Sequence, residues 1–386
     1  MKQTTFFIAF LMSLYTSAQM RIKILDEETK TPIKNAKTSI NQEILYTNED
    51  GIVRLPLRDR SSEVSIEVPF YDKKIVKNIT EENQEISLKP TYNKIEDVIL
   101  TKFDFNALVK NLYENYSKFY NTKSHLYNAQ YKDKLFINNK INSLLIADID
   151  LFTTRNAVGM TLMGNVDEYL QIALDKVKYY KVDNSEINFK KFTNRRSISW
   201  FNGRMFLNGE LAILQFGLNK IPVKTKIVYQ DDIMKKFSFE TETLARRGTT
   251  FRGNFVLDKE TGAVTYMEVE QTYSKSEREY KSDNGKIYIN TKSVITIYDF
   301  YKKNEKYMPS KLTLIQKGII TNNKKSENFS RMREIVFTNA RELPQTNLQN
   351  KIDVSKKDII SYIPDNEIKN TKDLLSKQEQ EFIDEP

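Results

Sequence analysis

Residues 249–273 read Thr-Thr-Phe-Arg-Gly-Asn-Phe-Val-Leu-Asp-Lys-Glu-Thr-Gly-Ala-Val-Thr-Tyr-Met-Glu-Val-Glu-Gln-Thr-Tyr. Two stretches that alternate apolar and polar residues flank a turn at 259–262, and this arrangement predicts an antiparallel hairpin. Because side chains alternate along a strand, Met267 and Val269 lie on the face opposite to Glu268. The predicted hairpin therefore has one apolar face and one solvated face.

The same alternation extends to both sides of this hairpin. It predicts strands over residues 126–131, 141–152, 198–201, 224–229, 237–244, 249–258, 263–273, 286–301, 311–320 and 331–338. Strands that follow one another along the chain pair most simply as antiparallel neighbours. The sequence thus predicts a mainly β protein in which residues 123–343 form a large curved antiparallel sheet, a half barrel, with one or two helices packed on its concave face.

Two amphipathic segments are predicted to supply these helices. In the first, Asp104 is placed to cap the amino-terminal end, and helical spacing brings together an apolar stripe of Phe105, Leu108, Val109, Leu112, Tyr116 and Phe119. The second covers residues 166–177, with Asn165 and Glu168 in the relation of a capping box. The first helix, within a connector at 91–122, marks the boundary to an amino-terminal domain.

Residues 20–88 alternate in much shorter runs. Seven strands are predicted, at 21–25, 38–40, 44–47, 52–57, 64–68, 74–79 and 85–88, and this density is typical of a small β-sandwich. Asn48-Glu49-Asp50-Gly51 is a tight-turn sequence. The strands on its two sides are therefore predicted to pair as a hairpin.

This segment also resembles a known domain family. The series Ile22-x-Ile24-x-Asp26, Thr31-Pro32-Ile33-x-Asn35-Ala36-x-Thr38-x-Ile40 and Thr47-Asn48-Glu49-Asp50-Gly51-Ile52-Val53-x-Leu55 is similar to the carboxypeptidase regulatory-like domain. That domain is a transthyretin-like sandwich of exported and outer-membrane proteins of Gram-negative bacteria. The family usually has glycine in place of Asn35 and a Gly-Tyr pair near Phe70-Tyr71. The resemblance implies a non-catalytic sandwich over residues 19–90, followed at 95–100 by a short β segment.

The central hairpin resembles a second family. A strand that ends in Asp258, a Lys-Glu-Thr-Gly turn and a returning strand are similar to the centre of the outer-membrane lipoprotein carriers, which have a half-barrel fold. The order of sandwich, helix and long strands also resembles exported proteins that contain a carboxypeptidase-like regulatory domain. The strands are rich in aromatic residues, with 22 Phe and 21 Tyr in the chain; core packing is the default explanation of this content, and a groove for an apolar ligand is the alternative. Its candidate lining is the apolar side of the hairpin: Phe255, Leu257, Met267 and Val269.

The first eighteen residues predict export. Lys2 precedes an apolar run at 6–15, too short to span a bilayer, and small residues follow it, so cleavage is expected between Ala18 and Gln19. The chain has no cysteine, which excludes disulfides, thiolate sites and a lipoprotein anchor. We expect a mature protein without a transmembrane span, in the periplasm or associated with the outer membrane.

The net charge of +9 does not indicate a nucleic-acid partner. Basic residues occur in scattered pairs and not in a stripe interleaved with stacking aromatic residues. Residues 344–386 are rich in charged and amide side chains, and they are predicted to be a mobile, charged tail. Within this tail, Ser355 and Asp358 are placed to cap a short helix that ends at Ile363, and residues 372–383 are expected to form at most one or two frayed amphipathic turns.

Few residues qualify for chemistry, and no catalytic, cofactor-binding or metal-binding residue is assigned. His125 is the single histidine and has no recognisable nucleophile motif nearby, so we interpret it as a residue at the start of a strand. Asp148 and Asp150 share one face of a strand, where paired carboxylates can act as acid and base or bind calcium. We favour a solvated strand face, because calcium needs six to eight oxygen ligands and no dense Asp/Asn/Gly loop surrounds this pair. No cofactor is expected.

Three functions are compatible with these features. The first is an exported, non-enzymatic protein that binds a lipid, another apolar ligand or an envelope partner such as an outer-membrane protein. The second is a structural or assembly module that acts through protein contacts alone, with its concave face filled by its own helix. The third is a hydrolase that depends on Asp148 and Asp150.

Overall fold

The computed structural model describes residues 20–41, 43–55, 63–77, 79, 83–91, 103–155, 169–183, 204–218, 221–241, 248–274, 276–282, 285–322, 325–354, 358–369 and 374–385. The chain forms two compact units, Met1–Asn93 with Leu374–Gln380 and Lys94–Asp373 with Glu381–Pro386. The predicted signal peptide with its cleavage junction, the β segment at 95–100 and the strand at 198–201 lie outside the described residues. The chain is mainly β, as predicted, with a small sandwich and a large antiparallel sheet.

All seven strands predicted for the amino-terminal unit are present. They are β1 (Met20–Asp26), β2 (Lys37–Ile40), β3 (Glu43–Tyr46), β4 (Ile52–Leu55), β5 (Val64–Glu67), β6 (Lys74–Val76) and β7 (Asn83–Leu88). They form two sheets in the orders β4-β1-β7 and β3-β2-β5-β6. Both sheets contribute to one core, whose most deeply buried members are Ile22, Ile24, Ala36, Val64 and Ile66.

The turn at Asn48–Gly51 does not close a hairpin, and that prediction was wrong. Strand β3 pairs with β2, while β4 pairs with β1 in the other sheet. The hydroxyl of Thr47 donates to Ile33 O at 2.7 Å and accepts from Ala36 N at 2.9 Å, so the chain is already tied to a preceding loop before it turns. The turn therefore carries the chain from one sheet of the sandwich to the other.

The second unit contains a sheet of thirteen strands in the described part of the chain. Its strands are β8 (His125–Ile137), β9 (Lys140–Thr153), β10 (Leu170–Val182), β11 (Val223–Gln230), β12 (Met234–Thr241), β13 (Thr249–Asp258), β14 (Val264–Tyr273), β15 (Glu277–Ser282), β16 (Gly285–Lys303), β17 (Lys306–Asn322), β18 (Lys325–Glu342), β19 (Lys351–Ile352) and β20 (Ile368–Lys369). The main order is β11-β12-β13-β14-β16-β17-β18-β8-β9-β10-β19, and every pairing is antiparallel. Strands β13 and β14 pair as the predicted hairpin, with Met267 and Val269 buried on the face opposite to Glu268.

Helices cover the apolar face of this sheet, which we call the inner face. They are α1 (Phe105–Glu114), α2 (Tyr116–Phe119) and α3 (Leu207–Gly217). The predicted helix at 105–119 is present with one break, because Asn115 leaves the helical backbone between α1 and α2. Asp104 caps α1 as predicted, accepting a hydrogen bond from Ala107 N at 2.9 Å. Helix α3 was not predicted from the sequence.

The second predicted helix, at 166–177, was wrong where the chain is described, because Leu170–Val182 is strand β10. Its register against β9 shifts twice, between Leu174 and Lys176 and between Val177 and Tyr179. Each shift inserts one extra residue into β10. The next side chain that points into the core therefore follows the previous one after three residues and not after two. The resulting apolar positions mimic the period of a helix.

The carboxy-terminal segment is not a free tail in its described parts. Strands β19 and β20 both pair with β10, a 3₁₀ helix covers Ile359–Tyr362, and α4 covers Lys377–Asp384. The buried apolar residues of this segment in the second unit's core are Ile352, Val354, Ile359, Ile360 and Ile363. The overall polar composition hid them, because they are few and separated by charged residues. Ser355, half of the predicted cap, lies outside the described residues.

Candidate functional site

The inner face of the large sheet is the place where the sequence predicted a groove, and helix α1 fills it. The ring of Phe105 stacks on Phe239 with centroids 4.3 Å apart, and it lies 5.2 Å from the ring of Phe255. Phe105 reaches this position because Asp104 fixes the first turn of α1 and directs the following side chain into the sheet. An aromatic side chain of the protein itself thus occupies the space in front of the hairpin.

All four candidate groove residues lie in the core of the second unit. Phe255, Met267 and Val269 are fully buried and Leu257 is 8% exposed. They belong to the same apolar cluster as Phe105 of α1. Their predicted role as the wall of a ligand groove stays a prediction, and in this structure the partners of that wall are side chains of the same chain.

A small cavity of about 10 Å³ lies between α2, α3 and the inner face. Its lining includes Tyr116, Tyr120, Tyr298, Tyr307 and Leu312. That volume is about the space of one water molecule and is far below the several hundred Å³ of a typical ligand site.

The tyrosines around this cavity serve as hydrogen-bonding groups. The hydroxyl of Tyr120 donates to Val264 O and accepts from Val264 N, each at 3.0 Å. The hydroxyl of Tyr298 donates to Arg204 O at 2.7 Å. Burial raises the pKa of both tyrosines well above the ordinary value, so both keep their protons at physiological pH.

A buried polar network anchors the start of helix α3. The guanidinium of Arg204 is paired with the carboxylate of Glu210, and both side chains are at most 1% exposed. Arg204 also donates to Thr296 Oγ1 at 2.8 Å and to Gln271 Oε1 at 2.7 Å, on strands β16 and β14. Burial raises the pKa of Glu210, and the positive charge of Arg204 opposes that shift. The network fixes α3 against the sheet.

A second ionic cluster lies further along the inner face, between β8 and β18. Arg331 donates from Nε to Asp133 Oδ1 at 2.9 Å, and its Nη1 lies 3.0 Å from Asp358 Oδ2. Arg333 Nη1 lies 3.6 Å from the same Asp358 oxygen. The hydroxyl of Tyr131 donates to Asp133 at 3.1 Å. Two arginines and two aspartates therefore join the carboxy-terminal segment to the sheet.

The candidates for chemistry are dispersed. His125 is the first residue of β8, as predicted, and its Nδ1 lies 3.0 Å from Lys123 O. Asp148 and Asp150 share one face of β9, but each has its own partner: Lys178 Nζ lies 2.8 Å from Asp148, and Asn128 Nδ2 donates to Asp150 at 2.7 Å. Among the interactions described, none joins His125 to Asp148 or Asp150. These three residues therefore do not form a catalytic arrangement there.

The described ranges of the chain lack a metal site and a membrane-spanning helix. They contain no group of three or more histidine, cysteine, aspartate or glutamate side chains that could hold a metal ion. None of their helices is long and apolar enough to cross a membrane.

Comparisons with known proteins add little. No protein-family model matches this chain, and no match was found among curated proteins. One solved structure is similar over 83% of this chain and 98% of its own length, with 7% identity and a TM-score of 0.16. It is a protein of unknown function from Bacteroides fragilis that is provisionally called membrane-associated. At this TM-score the similarity carries no argument about fold or function.

Sequence reasoning missed both buried ionic clusters. Their members are far apart in the chain, as Asp133 and Arg331 show, and isolated charges in alternating strands look like solvated positions. One signal was available for helix α3. Leu207, Leu211, Leu214 and Leu218 recur at spacings of four, three and four, which is the helical period.

Proposed function

We propose that this protein is an exported, non-enzymatic component of a bacterial cell envelope that acts through protein contacts. The observation that carries this proposal is the occupied inner face of the large sheet. Phe105 of α1 fills the space beside the hairpin, and the cavity described between α2, α3 and the inner face has a volume of about 10 Å³. A carrier of an acyl chain needs an apolar pocket of several hundred Å³.

Support for the envelope location comes from the sequence. Residues 1–18 have the charge, apolar run and small residues of a cleaved signal peptide. The sequence of the amino-terminal unit resembles a module of exported proteins, and the described strands of this unit form two sheets around one core. The absence of cysteine favours a protein that is not lipid-anchored.

Mass spectrometry of the exported protein tests the proposal. The protein is purified from periplasm, and its native and denatured masses are compared. We expect the same mass in both, because the protein's own helices occupy the inner face. A one-to-one lipid adduct that disappears on denaturation would support the apolar-carrier function instead.

A matched pair of variants makes this test sensitive. Phe105→Ala removes the ring that packs on Phe239 and Phe255, and it is expected to open a cavity at the predicted groove. Phe216→Ala removes the same side chain from a site that is 59% exposed. A small apolar probe such as benzene is expected to bind the first variant only. Binding by the unaltered protein would mean that the inner face is open in solution.

A further inference from the structure

We propose that the acidic turn of the sandwich, Asn48-Glu49-Asp50, is a docking surface for the amino-terminal end of a helix, and that the chain's own segment at 374–380 occupies it. This inference rests on the proposed function, because it names one surface through which the protein would make protein contacts. It concerns the amino-terminal unit alone, and does not depend on what fills the inner face of the large sheet.

Three consecutive turn residues bind three consecutive residues of the segment. Asn48 Nδ2 donates to Leu375 O at 3.2 Å, and Ser376 Oγ donates to Glu49 Oε2 at 2.9 Å. The backbone N–H of Lys377 donates to Asp50 Oδ2 at 2.7 Å. The match is residue by residue, as expected for a recognition surface and not for a chance contact of two loops.

The docked segment carries a complete helix cap. Ser376 N donates to Glu379 Oε2 at 2.9 Å, and Glu379 N donates to Ser376 Oγ at 3.3 Å, which is the reciprocal pattern of a capping box. Ser376 is 1% exposed and Glu379 is fully buried. The turn thus recognises the capped start of a helix, and the cap is sequestered where it docks.

Charge explains the preference for this end of a helix. The first N–H groups of a helix lack partners within it and carry partial positive charge, and the carboxylate of Asp50 accepts from one of them, the N–H of Lys377. Glu49 accepts its hydrogen bond from a hydroxyl. A serine or threonine at the cap position therefore fits, whereas an aspartate or a phosphoserine would be repelled.

The contact between the turn and the segment is polar, so the segment is suited to replacement by the helix of a partner. Neither Leu374 nor Leu375 is among the apolar residues packed in the described sandwich core. The three hydrogen bonds of the contact are part-buried or exposed; such bonds contribute modestly to binding, and interactions with helix termini weaken in salt. A partner with the pattern Ser-Lys-x-Glu at a helix start has the chemistry to compete with residues 376–379 for this surface.

Peptide binding by the full-length chain tests the proposal. The receptor carries Ser376→Ala and Glu379→Ala, which weaken its own cap, and the probe is a fluorescent peptide with the sequence of residues 372–386. We expect saturable binding that weakens about tenfold when the peptide serine is alanine, the size of a lost charge-assisted hydrogen bond. Adding Asp50→Asn to the receptor is expected to weaken binding as well. Undetectable binding, or binding insensitive to both changes, would overturn the proposal.

Hydrogen exchange on the otherwise unaltered chain gives a second measurement that needs no released segment. Asp50→Asn is expected to speed amide exchange at 375–378, because Lys377 N loses a charged acceptor. Glu85→Gln is the matched control, since that acid pairs with Lys23 elsewhere on the sandwich. Equal protection in both variants would contradict the docking role of the turn. A lipid adduct in the mass spectra would leave this result unaffected, so the two proposals fail separately.

Discussion

At the scale of single residues, several residues of the described sandwich other than glycine have a left-handed backbone, and Asn35 and Phe70 are two of them. Asn35 has φ 58° and Phe70 has φ 69°, and these are the positions where the carboxypeptidase regulatory-like pattern has glycine. Asn adopts this backbone with little cost, whereas a bulky residue such as Phe is strained in it. Tyr71 follows Phe70 and donates from its hydroxyl to Asp26 Oδ2 at 2.7 Å. Both positions thus adopt a left-handed backbone without glycine.

The first prediction concerns Asn35. Asn35→Ala is expected to destabilise the protein by about 1 kcal/mol, because alanine pays the full cost of the left-handed backbone. Asn35→Gly is expected to be the more stable of the two. Chemical denaturation of both variants measures the difference. At Lys110, exposed within helix α1, the order should reverse and alanine should be the better residue. Equal stability of the two Asn35 variants would contradict the assigned backbone.

The second prediction concerns the pH dependence of Asp358. Burial would raise its pKa, but Arg331 and Arg333 outweigh that effect and hold the pKa below the ordinary value of 3.8. A carboxylate with a lowered pKa stabilises the fold above its unfolded pKa, and that contribution is lost as the pH falls through the folded value. The 3₁₀ helix at Ile359–Tyr362 is therefore expected to lose amide protection below about pH 3.8.

Asp358→Asn supplies the control for this prediction. Removing the charge leaves two buried arginines with less compensation, and a cost of about 3 kcal/mol is expected at neutral pH. The variant should also lose part of the acid sensitivity at Ile359–Tyr362. If exchange in this helix responds to acid identically in the variant and the original chain, the ionic cluster does not hold the segment.

At the scale of elements, helix α1 is defined by its cap and by one face. Asp104 accepts from Ala107 N, and the buried residues Phe105, Val109 and Leu112 follow at helical spacing. This helix was predictable because its start signal and its apolar stripe are both local. Helix α3 was harder to predict, since Phe206 at its start makes no side-chain capping hydrogen bond. Its position depends instead on Arg204 and the sheet.

The third prediction separates the cap of α1 from its packing. Asp104→Ala is expected to cost about 1 kcal/mol of stability, the usual value of a helix cap. Phe105→Ala is expected to cost about 3 to 5 kcal/mol, because it removes a fully packed ring and leaves a cavity. Denaturant unfolding gives both values. A cost for Phe105→Ala no larger than that of the cap variant would mean that the ring is not packed in solution.

At the scale of the whole molecule, the chain does not divide into consecutive segments. The amino-terminal unit includes residues 374–380, which contact the turn at Asn48–Asp50 over a separation of 327 residues in sequence. Within the second unit, β18 pairs with β8, so the last long strand lies beside the first. These long-range contacts make the described residues 374–380 part of the amino-terminal unit and bring β8 and β18 together in the second unit.

The fourth prediction concerns processing of the exported chain. Expression of the full precursor in a Gram-negative host is expected to give a protein whose first residue is Gln19, which amino-terminal sequencing checks. Ala18→Arg should block cleavage, because a signal peptidase requires a small residue there. Gln19→Asn, just after the junction, is the matched control. A precursor that retains residues 1–18 in both the original and the control chain would contradict the assignment.

Local patterns in the sequence determined the class of fold. Period-two alternation predicted the strands, the Asp258–Gly262 turn predicted the central hairpin, and helical spacing after Asp104 predicted α1. These features depend on neighbours within a few residues, so the sequence alone carries them. The number of strands in the sandwich was predictable for the same reason.

Only the tertiary structure decided how these elements combine. The turn at Asn48–Gly51 connects two sheets because β3 pairs with β2 and β4 pairs with β1. These pairings with earlier strands replace the local hairpin of β3 with β4. Residues 170–182 form a strand because the β9 edge satisfies their backbone hydrogen bonds and the bulges accommodate their spacing. The inner face is filled because Phe105 and Phe239, 134 residues apart, meet there. Such contacts depend on distant partners, which period and composition do not specify.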